Sequence, residues 1–186
     1  MTNKKKVSLL ILSVVIVVAL LFFWLEGDKF ARENFYSGPK KLSSSIMNTE
    51  LKDIVTQETF KLSDFKGKVI LIDSFHLSCE ACMTQHSKEK LLIEERPDIV
   101  LISFDSNSTD SESQIGNYAV SNEYYWYFTQ PPKKFVKSLS SLIGNEVTNA
   151  RLVPTLVVCP DNYAHLLRTG AKPLGELKSE IVDKCR

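Results

Sequence analysis

The chain has 186 residues, of which 44% are hydrophobic and 24% charged, with a formal net charge of +1. This length allows one domain of ordinary size with an appendage, and the small net charge argues against a nucleic-acid partner held by bulk electrostatics. The four cysteines are an even number, compatible with two disulfides if the domain lies outside the reducing cytosol.

The N-terminus predicts a membrane anchor. Three consecutive lysines close a predicted cytoplasmic segment, residues 1–6, and an apolar run, residues 7–25, follows them. At 1.5 Å per residue this run is long enough to cross a hydrocarbon core of about 30 Å. The lysines before the run and the aromatic residues at its far end predict a single-pass protein of the cell membrane with its C-terminal domain extracytoplasmic. A cleaved signal peptide is the alternative, but its apolar region is usually shorter and ends at a small-residue cleavage site.

The rest of the chain separates into a linker and a domain. Residues 26–45 are charged and polar without a sustained hydrophobic period, which is typical of a linker. From Ile46 the pattern becomes globular, so the sequence predicts a domain over residues 46–186.

The domain pattern alternates strands with helices. In chain order we predict strands over 51–55, 59–62, 69–75, 99–104, 155–159 and 164–169, and helices over 79–95, 112–120, 132–142 and 174–184. The aromatic run Tyr124–Phe128 between two of these helices is expected to pack in the core. The order of elements indicates an α/β fold, with a mixed central sheet and helices on both faces.

The most informative motif is Cys79-Glu80-Ala81-Cys82, which lies where a buried strand gives way to a helix. Two cysteines at this spacing can form a small, easily opened disulfide ring, and the helix N-terminus favours the thiolate of the first one. Half of a zinc site has the same spacing, but a zinc site needs a second ligand pair. Cys159 and Cys185 are far apart, and no two histidines have zinc-ligand spacing. The context therefore favours redox chemistry, with no metal and no other cofactor.

This motif, together with Val153-Pro154-Thr155 and with Gly170-Ala171 before the last helix, resembles the thioredoxin superfamily. The lead-in over residues 60–68 is similar to the membrane-anchored TlpA/ResA-like branch of that superfamily. The resemblance covers the whole predicted domain and implies a thioredoxin-like fold and the activity of a thiol–disulfide oxidoreductase.

The resemblance also assigns roles to particular residues. It implies that Cys79 attacks a client disulfide and that Cys82 resolves the mixed disulfide, while Asp73 handles the proton of the second cysteine. It implies that Pro154 has a cis peptide bond and that the backbone at Val153 and Pro154 binds the client peptide. The implied partners are protein thiol and disulfide clients and an upstream redox protein.

Departures from the family pattern leave two points open. The dipeptide Glu80-Ala81 differs from that of thioredoxin, so the direction of electron flow, reductase or oxidase, is undetermined. Ser103-Phe104-Asp105 and the loop after it resemble Sco-type copper chaperones, although Arg151 stands about where their late-loop histidine is found. A copper-binding or copper-delivery module that uses the same two cysteines, with His76 or Met83, is therefore the alternative function.

The remaining cysteines, Cys159 and Cys185, are predicted to form a structural disulfide. The strand that ends at Cys159 runs away from Pro154, and the final helix brings Cys185 back to the same end of the sheet. A disulfide that closes the loop between these two cysteines is expected to stabilise the protein by roughly 3 kcal/mol. Two separate thiols are the alternative. His86, like His76, is expected at the surface.

Overall fold

A computed structural model of the protein describes residues 15–17, 20, 38–106 and 109–186. The chain divides into two compact units, Met1–Ser37 and Gly38–Arg186. The predicted anchor, residues 7–25, lies outside the described residues except for 15–17 and 20, which are helical. Among the residues that are described, no helix combines the length and the apolar character that a membrane span requires.

The second unit alternates strands and helices, as the sequence pattern predicts. Its strands are β1 (Lys40–Lys41), β2 (Leu51–Lys52), β3 (Thr59–Phe60), β4 (Ile70–Phe75), β5 (Val100–Asp105), β6 (Tyr127–Thr129), β7 (Thr155–Val158) and β8 (Tyr163–Leu166). Its helices are α1 (Ser44–Met47), α2 (Glu80–Glu95), α3 (Glu112–Ser121), α4 (Lys133–Ile143) and α5 (Leu174–Lys184). Short 3₁₀ turns cover Leu62–Phe65, Asn145–Thr148 and Ala150–Leu152.

A mixed sheet with the strand order β1-β8-β7-β4-β5-β6 forms the centre of this unit, and β2 and β3 form a separate antiparallel pair. The central strand β4 is parallel to β5 and antiparallel to β7. Every residue of β4 is buried, which explains why its sequence is an almost continuous apolar run. The register places Asp73 beside Ser103 on one neighbouring strand and Thr155 on the other.

Hydrophobic cores lie on both faces of the sheet because successive β4 side chains point in opposite directions. One core contains Leu71, Phe75, Leu92, Ile115, Phe128 and Leu177. The other contains Ile70, Ile72, Ile102, Phe135, Leu139 and Leu156. Asp73 alternates with Leu71 and Phe75, so its carboxylate enters the first core, against α2.

The compact unit begins at Gly38, ahead of the predicted boundary at Ile46. Strand β1 is at the sheet edge, where Lys40 lies opposite Ala164, and Leu42 after it is buried. Two lysines on an edge strand carry no hydrophobic period. The sequence pattern therefore placed this segment in the linker, although its backbone belongs to the sheet.

Candidate active site

The two cysteines of the motif lie at the junction of β4 and α2. Cys79 caps the N-terminus of α2 and forms a disulfide with Cys82, with a Cα–Cα distance of 5.2 Å. The backbone N–H of Cys82 points at Cys79 Sγ, 3.2 Å away. This N–H group and the positive end of the helix dipole both stabilise negative charge on the first sulfur after reduction.

The two sulfurs differ in access to solvent. The exposed fraction is 9% for Cys79 and 1% for Cys82. This difference favours the predicted order of attack, with Cys79 first.

The backbone that faces the disulfide belongs to Ala150, in the 3₁₀ turn before β7. The carbonyl oxygen of Ala150 lies 3.4 Å from Cys82 Sγ and 3.7 Å from Cys79 Sγ. Disulfide sulfurs carry no hydrogen, so in the oxidised protein these are contacts and not hydrogen bonds. After reduction, a thiol at either position can donate to the carbonyl oxygen of Ala150.

Both backbone groups of Val153, one of the two predicted client-binding residues, form hydrogen bonds within the protein. The N–H of Val153 donates to Ala150 O at 2.9 Å, and its carbonyl oxygen accepts from Lys172 Nζ at 3.3 Å. Pro154, the other predicted residue, has no N–H to offer. The backbone of this loop that contacts the sulfurs is that of Ala150.

The predicted cis bond before Pro154 is wrong, because no peptide bond among the described residues is cis. Val153 instead has φ 45° and ψ 57°, in the left-handed region. A β-branched residue rarely adopts this conformation. The two hydrogen bonds of Val153 hold it there, together with one from Gly170 N–H to Leu152 O at 2.7 Å.

Asp73, the predicted proton-handling carboxylate, is buried with an exposed fraction of 3%. Its Oδ1 accepts from Ser103 Oγ at 2.6 Å, and its Oδ2 lies 2.8 Å from His86 Nε2. Ser103 Oγ in turn accepts from Trp126 Nε1 at 2.9 Å. The carboxylate is therefore held by hydrogen bonds on both oxygens, one of them to a histidine on the same helix as Cys82.

His86 was expected at the surface, but it is completely buried. Its ring lies among five aromatic rings, those of Phe75, Tyr118, Tyr124, Trp126 and Phe128. Its Nδ1 is 2.8 Å from the hydroxyl of Tyr118. Burial alone would lower the pKa of His86, but the charge of Asp73 and the hydrogen bond to it outweigh burial and raise the pKa.

Two further charged residues occupy the same core. Burial and the neighbouring Asp73 raise the pKa of Glu89 to about 8, although its Oε1 accepts from Gln85 Nε2 at 3.1 Å. Glu89 Oε2 has no hydrogen-bond partner among the described residues. Burial lowers the pKa of Lys172 to about 8, and its backbone N–H donates to Gln85 Oε1 at 2.7 Å.

The sequence pattern did not place His86, Glu89 or Lys172 at the site. A signal for the first two exists, because Cys82, His86 and Glu89 follow one another at four- and three-residue spacing and therefore share one face of α2. That face is buried. The aromatic run was correctly expected in the core, since Tyr124, Trp126 and Phe128 are buried, whereas Tyr125 is exposed.

The described residues contain one group close enough to hold a metal ion, formed by Asp73, His86 and Glu89, with ligand atoms within 4.8 Å of one another. It includes neither cysteine of the motif. Two carboxylates and an imidazole are a poor match for Cu(I), which prefers sulfur ligands. Of the other proposed copper ligands, His76 has its Nδ1 2.9 Å from Ser78 Oγ.

An open cleft of about 410 Å³ lies beside the turn that faces the disulfide. Its lining is polar and consists of His76, Ser78, Ser106, Thr148, Asn149, Ala150 and Arg151. The cleft is linked to the disulfide through Ala150, whose carbonyl oxygen lies 3.7 Å from Cys79 Sγ.

The second cysteine pair is also bonded. Cys159 and Cys185 form a disulfide with a Cα–Cα distance of 5.2 Å. Cys159 follows β7 at the end of the sheet where β4 begins, because Val158 lies opposite Ile70. The bond is thus at the opposite end of the sheet from the motif, as the topology predicts.

No family model and no curated protein matches the sequence. The structure is similar to a thiol:disulfide interchange protein of the thioredoxin family from Chlorobium tepidum TLS, with a TM-score of 0.62 and 11% identity, over 80% of this chain and 97% of that one. A secreted Mycobacterium tuberculosis disulfide oxidoreductase homologous to E. coli DsbE matches with a TM-score of 0.61 and 8% identity, over 76% and 99% of the two chains. BsSco, a member of the Sco family of cytochrome c oxidase assembly proteins, matches with a TM-score of 0.58 and 20% identity, over 80% and 96%. These likenesses confirm the thioredoxin-like fold predicted for the domain.

Proposed function

We propose that the protein is a membrane-anchored thiol–disulfide oxidoreductase whose domain acts outside the cytoplasm. The observation that carries the proposal is the disulfide at the N-terminus of α2, in which Cys79 is the less buried of the two cysteines. The likeness to a thiol:disulfide interchange protein and to a secreted disulfide oxidoreductase supports it.

The reaction needs only the two sulfurs and a client. In the reduced protein, the Cys79 thiolate attacks a client disulfide, forms a mixed disulfide and releases the second client sulfur as a thiolate, which takes up a proton. The Cys82 thiol then loses its proton and attacks Cys79 Sγ, which releases the first client sulfur and closes the ring. The client is reduced and the motif is oxidised; an upstream dithiol partner restores the reduced form.

The same steps run in reverse to oxidise a client dithiol. The direction depends on the reduction potential of the motif relative to its partners. We expect the client segment to lie in the cleft beside Ala150 in either case.

Trapping of the mixed disulfide tests the proposal. Cys82→Ser in the full-length protein removes the resolving thiol, so client proteins should accumulate as Cys79-linked adducts that dithiothreitol releases. Cys79→Ser should form no such adducts, and Cys185→Ser, at the other disulfide, is the matched control for an added free cysteine. Absence of adducts in Cys82→Ser, with no disulfide exchange by the wild-type protein, would refute the proposed activity.

The membrane anchor needs its own test. The apolar run over residues 7–25, preceded by three lysines, supports it. The full chain should fractionate with membranes, and a protease added outside intact cells or spheroplasts should cleave the C-terminal domain. A soluble protein with a new N-terminus beyond Leu25 would refute the anchor.

A further inference from the structure

The proposed chemistry leaves a proton inside the protein. When Cys82 attacks, its thiol proton must leave a position that is 1% exposed, and the predicted acceptor of that proton, Asp73, is only 3% exposed. Neither group exchanges protons freely with water. A further group must therefore connect Cys82 and Asp73 to the protein surface.

The structure contains a continuous chain of hydrogen-bonding groups that begins at Asp73. Asp73 Oδ2 lies 2.8 Å from His86 Nε2, and His86 Nδ1 lies 2.8 Å from the hydroxyl of Tyr118. Tyr118 is on α3 and is half-buried, so it reaches the boundary of the core. His86 follows Cys82 by one helical turn, on the same buried face of α2.

We propose that Asp73, His86 and Tyr118 form a relay that carries the proton of Cys82 between the buried sulfur and the protein surface. The proposal rests on the proposed function, because it assigns a path to a proton that only the resolving step releases. Asp73 takes the proton first, and His86 releases one proton toward the surface in response.

The transfers balance at every link. In the reduced protein the His86 imidazolium donates its Nε2–H to the ionised Asp73. The Cys82 thiol becomes a thiolate and Asp73 a carboxylic acid, which removes the negative charge that held the second proton on the imidazolium. His86 then releases its Nδ1 proton to Tyr118 Oη, while the hydroxyl proton of Tyr118 passes to water, so one proton leaves the protein and the imidazole ends neutral with its Nε2–H in place. Re-reduction of the motif returns the proton of Asp73 to Cys82 and draws one proton inward through Tyr118 to His86 Nδ1.

His86 is suited to this position because several charges adjust its basicity. Asp73 faces it from β4, Glu89 lies on its own helix, and Tyr118 and Tyr124 face it from α3 and from the segment before β6. The charge of Lys172 acts on Glu89, whose pKa it lowers. The charges of Asp73 and Glu89 favour the protonated imidazole against burial, and the geometry supplies a partner on each ring nitrogen.

The reaction of the reduced full-length protein with 5,5′-dithiobis(2-nitrobenzoate) isolates the relevant step. Attack by Cys79 releases a first thionitrobenzoate in a phase that depends on reagent concentration. Attack by Cys82 on the resulting mixed disulfide releases the second one in a concentration-independent phase. The leaving thiolate takes up no proton at neutral pH, so the proton of Cys82 must leave through the protein.

We expect His86→Gln to slow the second phase by about 100-fold, the lower end of what positioned proton transfer supplies, while the first phase stays unchanged. Tyr118→Phe, which removes a single oxygen atom, should slow the same phase and shift its pH profile. His165→Gln replaces a half-buried histidine on β8, away from the relay, and should change neither phase.

Each outcome decides the question. A second phase within about twofold of wild type in both variants from pH 5 to 9 would show that His86 is only a core residue. A slow second phase in His86→Gln alone would refute the exit through Tyr118. If His86→Gln also lacks the first phase, the variant has not folded. The second phase of Tyr118→Phe then decides whether the relay exists. A wild-type protein without either phase would refute the proposed function instead.

Discussion

The ammonium nitrogen of Lys172 lies 3.3 Å from the carbonyl oxygen of Val153, so a buried lysine holds the loop that faces the redox disulfide. The same nitrogen donates to Thr155 Oγ1 at 3.2 Å and to Gly170 O at 2.9 Å. Its backbone N–H donates to Gln85 on α2. Lys172 therefore connects the loop before β7 to the helix that carries both cysteines.

Lys172→Met should destabilise the protein by about 3 kcal/mol, because the three acceptors lose their donor and stay buried. It should also slow the attack of Cys79 on large clients, since the left-handed conformation of Val153 loses one of its supports. Urea unfolding and client kinetics measure the two effects. Lys178→Met is the matched control, because the Lys178 side chain is partly exposed and pairs with Glu95, which is itself exposed, and its effect should stay within about 0.5 kcal/mol. Equal stability of the two variants would contradict the role of Lys172.

Glu89→Gln should stabilise the protein, increasingly so from pH 5 to 8. The pKa of Glu89 is raised from 4.5 to about 8, so in this window the native state keeps a proton that the unfolded state has released. Wild-type stability should consequently fall as pH rises, by up to about 1.4 kcal/mol per pH unit for one proton. A glutamine at this position does not ionise, so it removes this pH dependence, and its amide oxygen can still accept the hydrogen bond from Gln85.

Urea unfolding at several pH values measures this slope in both proteins. His86 adds to the fall only above its ordinary pKa of 6.5, because its native pKa is also raised. The slope of the free energy of unfolding between pH 5 and 6.5 therefore isolates Glu89. Glu123→Gln, the same substitution at an exposed glutamate, is the control. Parallel pH profiles for wild type and Glu89→Gln would show that Glu89 titrates normally.

Most of the fold follows from patterns that the sequence makes visible. The apolar run of β4 and the cysteines after it predicted the strand and helix that carry the site, and α5 has the predicted bounds, Leu174–Lys184. These elements are recognisable because each buries a continuous run or one periodic face. Strand β1 was missed because its pairing depends on backbone groups, which the side-chain pattern does not report.

The charged core was not predictable in the same way. Asp73 was singled out through a family resemblance, but His86 and Lys172 acquire their roles only from strands and loops that are distant in the sequence. A buried charge is costly unless partners surround it, and a single sequence does not show those partners. The conformation of Val153 was likewise missed, because a valine in the left-handed region has no local signature.

The alternative function, copper binding or delivery, predicts that the reduced protein holds Cu(I), and a binding assay tests this. The reduced full-length protein should fail to retain one equivalent of Cu(I) against a strong competing chelator, because among the described residues no histidine or carboxylate joins the two cysteines in a ligand group. Retention that Cys79→Ser and Cys82→Ser abolish, and that His76→Ala or Met83→Leu weakens, would favour copper delivery. Thr84→Ala, an exposed change on the same helix, controls for nonspecific effects.

The second disulfide should contribute stability without affecting the redox chemistry. Cys159 and Cys185 are 26 positions apart in the chain, and opening a loop of this size costs about 3 kcal/mol. The bond fastens the C-terminal end of α5 to the end of the sheet opposite the motif, so its loss should not reach Cys79. Cys159→Ala combined with Cys185→Ala should therefore lower the free energy of unfolding while both thionitrobenzoate phases keep their rates.

The single variants, each with one free thiol, control for the substitutions themselves. A double variant as stable as wild type, or one with altered phases, would show that this bond is not a separate structural support.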